Sequence, residues 1–121
     1  MFIIEDEITA LEMLSELQKK YDGRVHVSRS WNTGVEVVAW GSGKGECVRK
    51  LKELTGSELL ICVGDFENDI DMLKSADIGY AVENATDEVK KAADRITVSN
   101  DKSAIAQIIK ITEMELKKVR E

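Results

Sequence analysis

Residues Leu59 to Leu73 read LLICVGDFENDIDML, and this stretch decides the fold. Leu59, Leu60, Ile61, Cys62 and Val63 form a short continuous apolar run, the pattern of a buried strand. Gly64 is expected to let the backbone turn sharply at the strand's carboxyl end. Ligands of open α/β sheets gather outside that end, so Asp65 should project into a crevice and not into a core. Asn68, Asp69 and Asp71 follow within one or two turns of a helix start. Carboxylates clustered with an amide are hard oxygen donors, which suit magnesium better than zinc or copper. Asp65 and Asp69, four residues apart, can reach one cation with Asn68 beside them. The alternative is plain helix capping by Asp65 and Asn68, but a cap needs one such residue and this corner offers four.

The surrounding pattern supplies the sheet. From the glycine-rich Gly41-Ser-Gly-Lys-Gly45 onward, helix and strand alternate over about 44–55, 58–63, 67–75, 78–82, 86–93, 95–98 and 102–118. Such alternation implies parallel strands with crossover helices. The first third differs. Phe2 to Ile4 suits a strand, and Thr9 with Glu12 forms a capping box ahead of Leu11, Leu14 and Leu17, predicting a helix over 9–20. Val25 to Val27 and Val35 to Val38, around the turn-like Trp31-Asn-Thr-Gly34, read as two antiparallel strands. The chain is therefore expected to be α/β, with a β-α-β-β unit over 1–39 followed by a parallel unit over 40–121.

Composition narrows the function classes. A chain of 121 residues with 43% hydrophobic and 33% charged residues is ordinary for a globular domain. A formal net charge of -6, with basic residues interleaved among acids, argues against a nucleic-acid partner. No apolar run approaches the about 18 residues of a membrane span, and MFIIEDEITA lacks the basic flank of a signal peptide, so a cytoplasmic protein without membrane contact is expected. Cys47 and Cys62 match neither a disulfide framework nor a zinc pattern and are both expected to be buried. Lys44, between Gly43 and Gly45 at a helix entrance, can meet a phosphate or pair with a carboxylate, although the P-loop spacing is absent. His26, the only histidine, has no local support for a catalytic triad, and Trp31 and Trp40 are expected to pack against the sheet.

Two segments resemble the carboxyl-terminal half of haloacid dehalogenase superfamily phosphatases of the Cof-type sugar-phosphatase branch. They are GVEVVAWGSGKGECVRKLKEL, from Gly34 to Leu54, and ICVGDFENDIDMLKSADIGYAVENATDEVKKAADRITVSND, from Ile61 to Asp101. The resemblance extends over about residues 35–110, and residues 1–38 look like the end of that branch's α/β cap domain. It implies a partial Rossmann-like core acting on a phosphate ester or phosphate ion with Mg2+ as cofactor. Asp65 would be the direct magnesium ligand, with Asp69 and Asn68 completing the acidic corner. Lys44 would be the catalytic lysine that neutralises phosphoryl oxygens and holds the nucleophile. Asn84 would bind near the same crevice or cap the helix over 86–93.

One departure matters. The resemblance implies a nucleophilic aspartate in a DxDG motif, and the only D-x-D here is Asp69-Ile-Asp71, inside the acidic corner. The chain is therefore expected to hold half a site, inactive alone or needing a complementary chain. In such a sheet the nucleophile strand lies beside the strand over 59–63, so that strand should carry an open edge, a template for a homo-oligomer or a partner strand. Two other readings stand beside this one. The first is a non-catalytic binding or assembly domain retaining the fold. The second is a receiver domain, in which Glu5 and Asp6 bind magnesium and Asp65 accepts a phosphoryl group.

Overall fold

The computed structural model describes residues 1–121 and contains two three-stranded sheets. In the first unit, β1 (Phe2–Ile3) precedes α1 (Glu7–Lys20), β2 (Val25–Trp31) and β3 (Gly34–Ala39). The sheet order is β1-β3-β2, with every pair antiparallel. Helix α1 lays Ala10, Met13, Leu14 and Leu17 on Val25, Val27, Val35 and Val37, the smaller of two apolar clusters. The helix starts earlier than the capping-box reading predicts. Its N-cap is Asp6, whose carboxylate accepts from the backbone N–H of Thr9 at 2.9 Å and from the Thr9 hydroxyl at 2.7 Å. An aspartate reaches the third backbone N–H of a helix as well as a threonine does, and here it leaves Thr9 as its partner.

The second unit is parallel. Helix α2 (Lys44–Thr55) leads into β4 (Ile61–Gly64), a short 3-10 turn (Glu67–Asp69), α3 (Ile70–Ser75), β5 (Ile78–Val82), α4 (Asp87–Ala92), β6 (Arg95–Thr97) and α5 (Ala104–Arg120). The strand order is β4-β5-β6, and both pairings are parallel. Its core gathers Cys62, Leu73, Ala81, Val82, Ala85, Val89 and Ala104. Strand β4 is an edge, as expected, with one side unpaired. It begins at Ile61 and not at the predicted residue 58. The Leu60 N–H is taken by the Asp77 carboxylate at 2.6 Å, and its carbonyl accepts from Asp77 and Ile78, so the chain there joins a turn and not the ladder.

Only 20 of the 121 residues are buried, so several helix faces stay bare: Leu51 and Leu54 on α2, and Ile105, Ile109 and Met114 on α5. Two burial expectations fail. Cys62 is buried, but Cys47 faces solvent on the outer side of α2. Trp31 closes over Gly34, where a Cβ would stand 2.3 Å from its ring, whereas Trp40 is largely exposed just beyond β3 and does not pack into the sheet. No helix is long and apolar enough to cross a membrane.

Candidate active site

The crevice lies at the carboxyl end of β4. Asp69, in the 3-10 turn, is 6% exposed and folds back over Gly64. A Cβ on Gly64 would stand 2.4 Å from Asp69 Cβ. This close approach, and not a sharp turn, is what the glycine supplies: Gly64 remains inside the strand and its φ is not positive. Asp69 Oδ2 accepts the backbone N–H of Asp65 at 3.0 Å and of Phe66 at 3.5 Å, which ties the turn to the strand end. Asp69 Oδ1 accepts from Lys44 Nζ at 2.5 Å. Lys44 is the first residue of α2, and about half of its side chain remains in solvent. Both Asp69 oxygens are thus engaged within the chain.

Asp65 is the freer carboxylate. It is exposed at the mouth of the crevice, yet its carboxyl is held above the ordinary range, first by desolvation against the crevice wall, then by the charge and hydrogen bond of Asp69; Lys44 pulls the other way. A carboxylate whose charged form is disfavoured by desolvation and by a neighbouring like charge favours a further cation beside it. The cavity they border has a volume of about 460 Å³, and Val63, Met72, Asn100, Ser103 and Ile105 complete part of its wall. The Thr86 N–H donates to the Asp65 carbonyl at 3.2 Å, so α4 also starts against this loop.

The other predicted site residues divide. Asn68 turns its amide nitrogen to Ser30 Oγ at 3.4 Å, leaving Oδ1 as its oxygen donor. Asp71 leaves the corner: its carboxylate fills the space beside Gly45, where a Cβ would stand 2.1 Å from Oδ2, at the α2–α3 contact. Positions two apart on a helix do not share a face, which separates Asp71 from Asp69. No three His, Cys, Asp or Glu side chains converge anywhere, so the acidic corner is a pair and not the larger cluster expected. Asn84 does not cap α4, whose N-cap is Thr86. It pairs with Asn100 instead, donating to Asn100 Oδ1 and accepting from the Asn100 N–H, both at 3.1 Å, and so braces a residue of the crevice wall.

Sequence reasoning missed Arg29. The residue is 5% exposed, and its guanidinium donates two hydrogen bonds to Glu67, the residue midway between Asp65 and Asp69. Those bonds hold its proton affinity above the ordinary arginine value against the opposing effect of burial. The signal was present. Val25, Val27 and Arg29 alternate on one face of β2, so a charge occupies an inward position.

The antiparallel unit and the parallel sheet define an α/β fold with its candidate site at the carboxyl end of a parallel strand. The chain belongs to the haloacid dehalogenase-like hydrolase family, whose profile matches residues 1–109. It is 38% identical over 111 residues to a 5-amino-6-(5-phospho-D-ribitylamino)uracil phosphatase of Bacillus subtilis, covering 90% of this chain and 44% of that protein. It superposes on a solved structure from Streptococcus mutans UA159 with a TM-score of 0.82 at 28% identity, covering 90% of this chain and 42% of the other. A subclass IIB sugar phosphatase of the superfamily matches with a TM-score of 0.75 at 28% identity, over 86% of this chain and 40% of the other. A HAD/COF-like hydrolase of Plasmodium vivax also matches, with a TM-score of 0.70 at 26% identity, and the chain spans less than half the length of each of these relatives. The receiver reading falls here. β1 lies in a different sheet from β4, and Asp6 is committed to capping α1, so Glu5, Asp6 and Asp65 form no common site.

Proposed function

We propose that this chain supplies the lysine-and-carboxylate half of a magnesium-dependent phosphate-monoester hydrolase site, and that a nucleophilic carboxylate comes from outside residues 1–121. The observation that carries the reading is the contact of Lys44 Nζ with the buried Asp69 beside the freer Asp65, in one cavity at a strand end. Asp65 has the donor chemistry of a hard-cation ligand, with Asp69 and the Asn68 oxygen next in order. A magnesium ion held there would neutralise phosphoryl oxygens as charge spreads over them. Lys44 adds a positive charge beside the same two carboxylates. Asp69 orients that ammonium through Oδ1 and fixes the Asp65 backbone through Oδ2, so one buried carboxylate sets the positions of both groups.

The same reading treats residues 1–39 as the end of a cap domain and 40–121 as the second half of the core, in a cytoplasmic protein. The unpaired side of β4, beside the apolar Ile105 and Ile109, would take a complementary strand or a second copy of the chain. Substrate choice would then rest on whatever completes the cap.

The test is hydrolysis of an aryl phosphate by the purified chain with and without Mg2+, with Asp65→Asn as control, before and after mixing with a DxDG-bearing polypeptide. The expected result is no turnover alone and Mg2+-dependent turnover in the mixture, lost in Asp65→Asn. Turnover by the isolated chain would mean that a residue within it replaces the absent aspartate. Silence in both, with no magnesium-induced shift in melting temperature, would favour a non-catalytic assembly domain.

A further inference from the structure

The acidic loop is built against the first unit, and one buried side chain makes the joint. Arg29 stands on β2 at a break in register: it pairs with Val35, whereas Trp31 pairs with Gly34, so Ser30 is the extra residue of a bulge. Bulges re-aim side chains. Here the neighbours Arg29 and Ser30 both reach the loop between Asp65 and Asp69. Arg29 Nε donates to Glu67 Oε2 at 2.9 Å and Nη2 donates to Glu67 Oε1, a bidentate fork, while the guanidinium lies 5.6 Å from the centre of the Phe66 ring. Nη1 donates to Glu7 Oε1 and to the Asn32 carbonyl, both at 3.2 Å. Ser30 Oγ accepts from the Asn68 amide at 3.4 Å. Phe66, Glu67 and Asn68, the three residues separating the two site carboxylates, are thus each held by β2.

We propose that Arg29 is a positioning residue for the Asp65–Asp69 loop, setting the separation of the two carboxylates, and hence the loop's affinity for a divalent cation, through the rigid fork on Glu67. The inference rests on the reading of Asp65 and Asp69 as a magnesium corner. It adds that the corner's geometry depends on a residue of the antiparallel unit that touches neither carboxylate. Only an arginine fits: the planar fork fixes Glu67 in two directions, where a lysine ammonium would fix it in one.

The experiment is a Mg2+ titration of the full chain followed by the backbone amide shifts of Asp65 and Phe66, together with amide hydrogen exchange across the loop, for wild type, Arg29→Lys, Glu67→Gln and Glu7→Gln. Loss of a partner bonded directly to a metal ligand costs about tenfold or more in metal affinity, which bounds the effect of one acting through Glu67. Arg29→Lys and Glu67→Gln should therefore weaken Mg2+ binding by up to about tenfold and speed exchange from Asp65 to Asp69. Glu7→Gln, which removes the partner of Arg29 on α1 and leaves the fork, should lower the melting temperature without moving either readout. Unchanged affinity and exchange in Arg29→Lys and Glu67→Gln would overturn the inference while leaving the magnesium corner intact, as would an equal effect of Glu7→Gln. If wild type shows no Mg2+-dependent shift, the metal reading itself falls and takes the inference with it. Should Arg29→Lys fail to fold, Glu67→Gln decides, since it keeps the side-chain volume.

Discussion

Replacing Gly64 with alanine tests the site at its tightest point. The new Cβ would stand 2.4 Å from Asp69 Cβ and 2.9 Å from its Cγ and Oδ2, all well inside van der Waals contact. The neighbour that must yield is the base of a short, buried side chain, not the far end of a flexible one. Overpacking of this kind costs about 1–3 kcal/mol. Displacing Asp69 also breaks the bond from the Asp65 N–H, a hydrogen bond to a charged group worth about 1.5–3 kcal/mol. The Lys44 ion pair adds less, about 0.5 kcal/mol, because half of the lysine is in solvent. Together these give a loss of about 3–6 kcal/mol, a large share of the roughly 5–15 kcal/mol that holds a domain folded. Urea unfolding of Gly64→Ala measures it, and Asp69→Ala provides the second side of a cycle. In the Asp69→Ala background the carboxylate bonds are already gone, so Gly64→Ala should cost only its steric part, about 1–3 kcal/mol. A loss below about 0.5 kcal/mol in the wild-type background, the ordinary range for an innocuous substitution, would refute the claim that the glycine exists for Asp69.

The Asp77 carboxyl is held below the ordinary range, first by Lys52 and then by the Leu60 N–H. Its contribution is therefore present above the unfolded value and lost as pH falls through the lowered folded value, so melting temperatures recorded from about pH 6 down to about pH 2 should fall less steeply for Asp77→Asn. A thiol reagent should label the exposed Cys47 at once. Cys62, whose thiol is pushed up by burial and then by the charge of Asp77, should react only as the chain unfolds, and equal rates would contradict its place in the core. Asn84→Ala removes both bonds to Asn100 and should cost about 1 kcal/mol in urea unfolding, with faster amide exchange at Asn100; no change in either would mean that the brace is idle.

Much of the fold is legible in the sequence, because its causes are local. The alternation beyond Gly41 requires crossover helices, and the parallel order β4-β5-β6 obeys it. Lys44 meets Asp69 because a glycine-flanked helix start lies near a strand end, and both features can be read in the residues. Asp71 was misread although a sequence rule covers it: once Asp69 is fixed, a residue two places on must point elsewhere. Asn84 and the role of Gly64 could not be read, since each depends on a partner brought close only by the tertiary fold, Asn100 in one case and the folded-back Asp69 in the other. Arg29 lies between these. An inward charge in a strand signals a buried partner, but the partner is 38 residues away.

That separation bears on how the chain folds. The β2–β3 hairpin closes a short loop between adjacent segments, whereas each parallel pair of the second unit closes a crossover of about fifteen residues or more, at a higher but still local entropic cost. The contact of Arg29 with Glu67 needs both already in place. The tie between the acidic loop and β2 is therefore expected to form after both units, and refolding followed by amide-exchange labelling should protect Glu67 and Asn68 later than the β2–β3 hairpin; simultaneous protection would refute this.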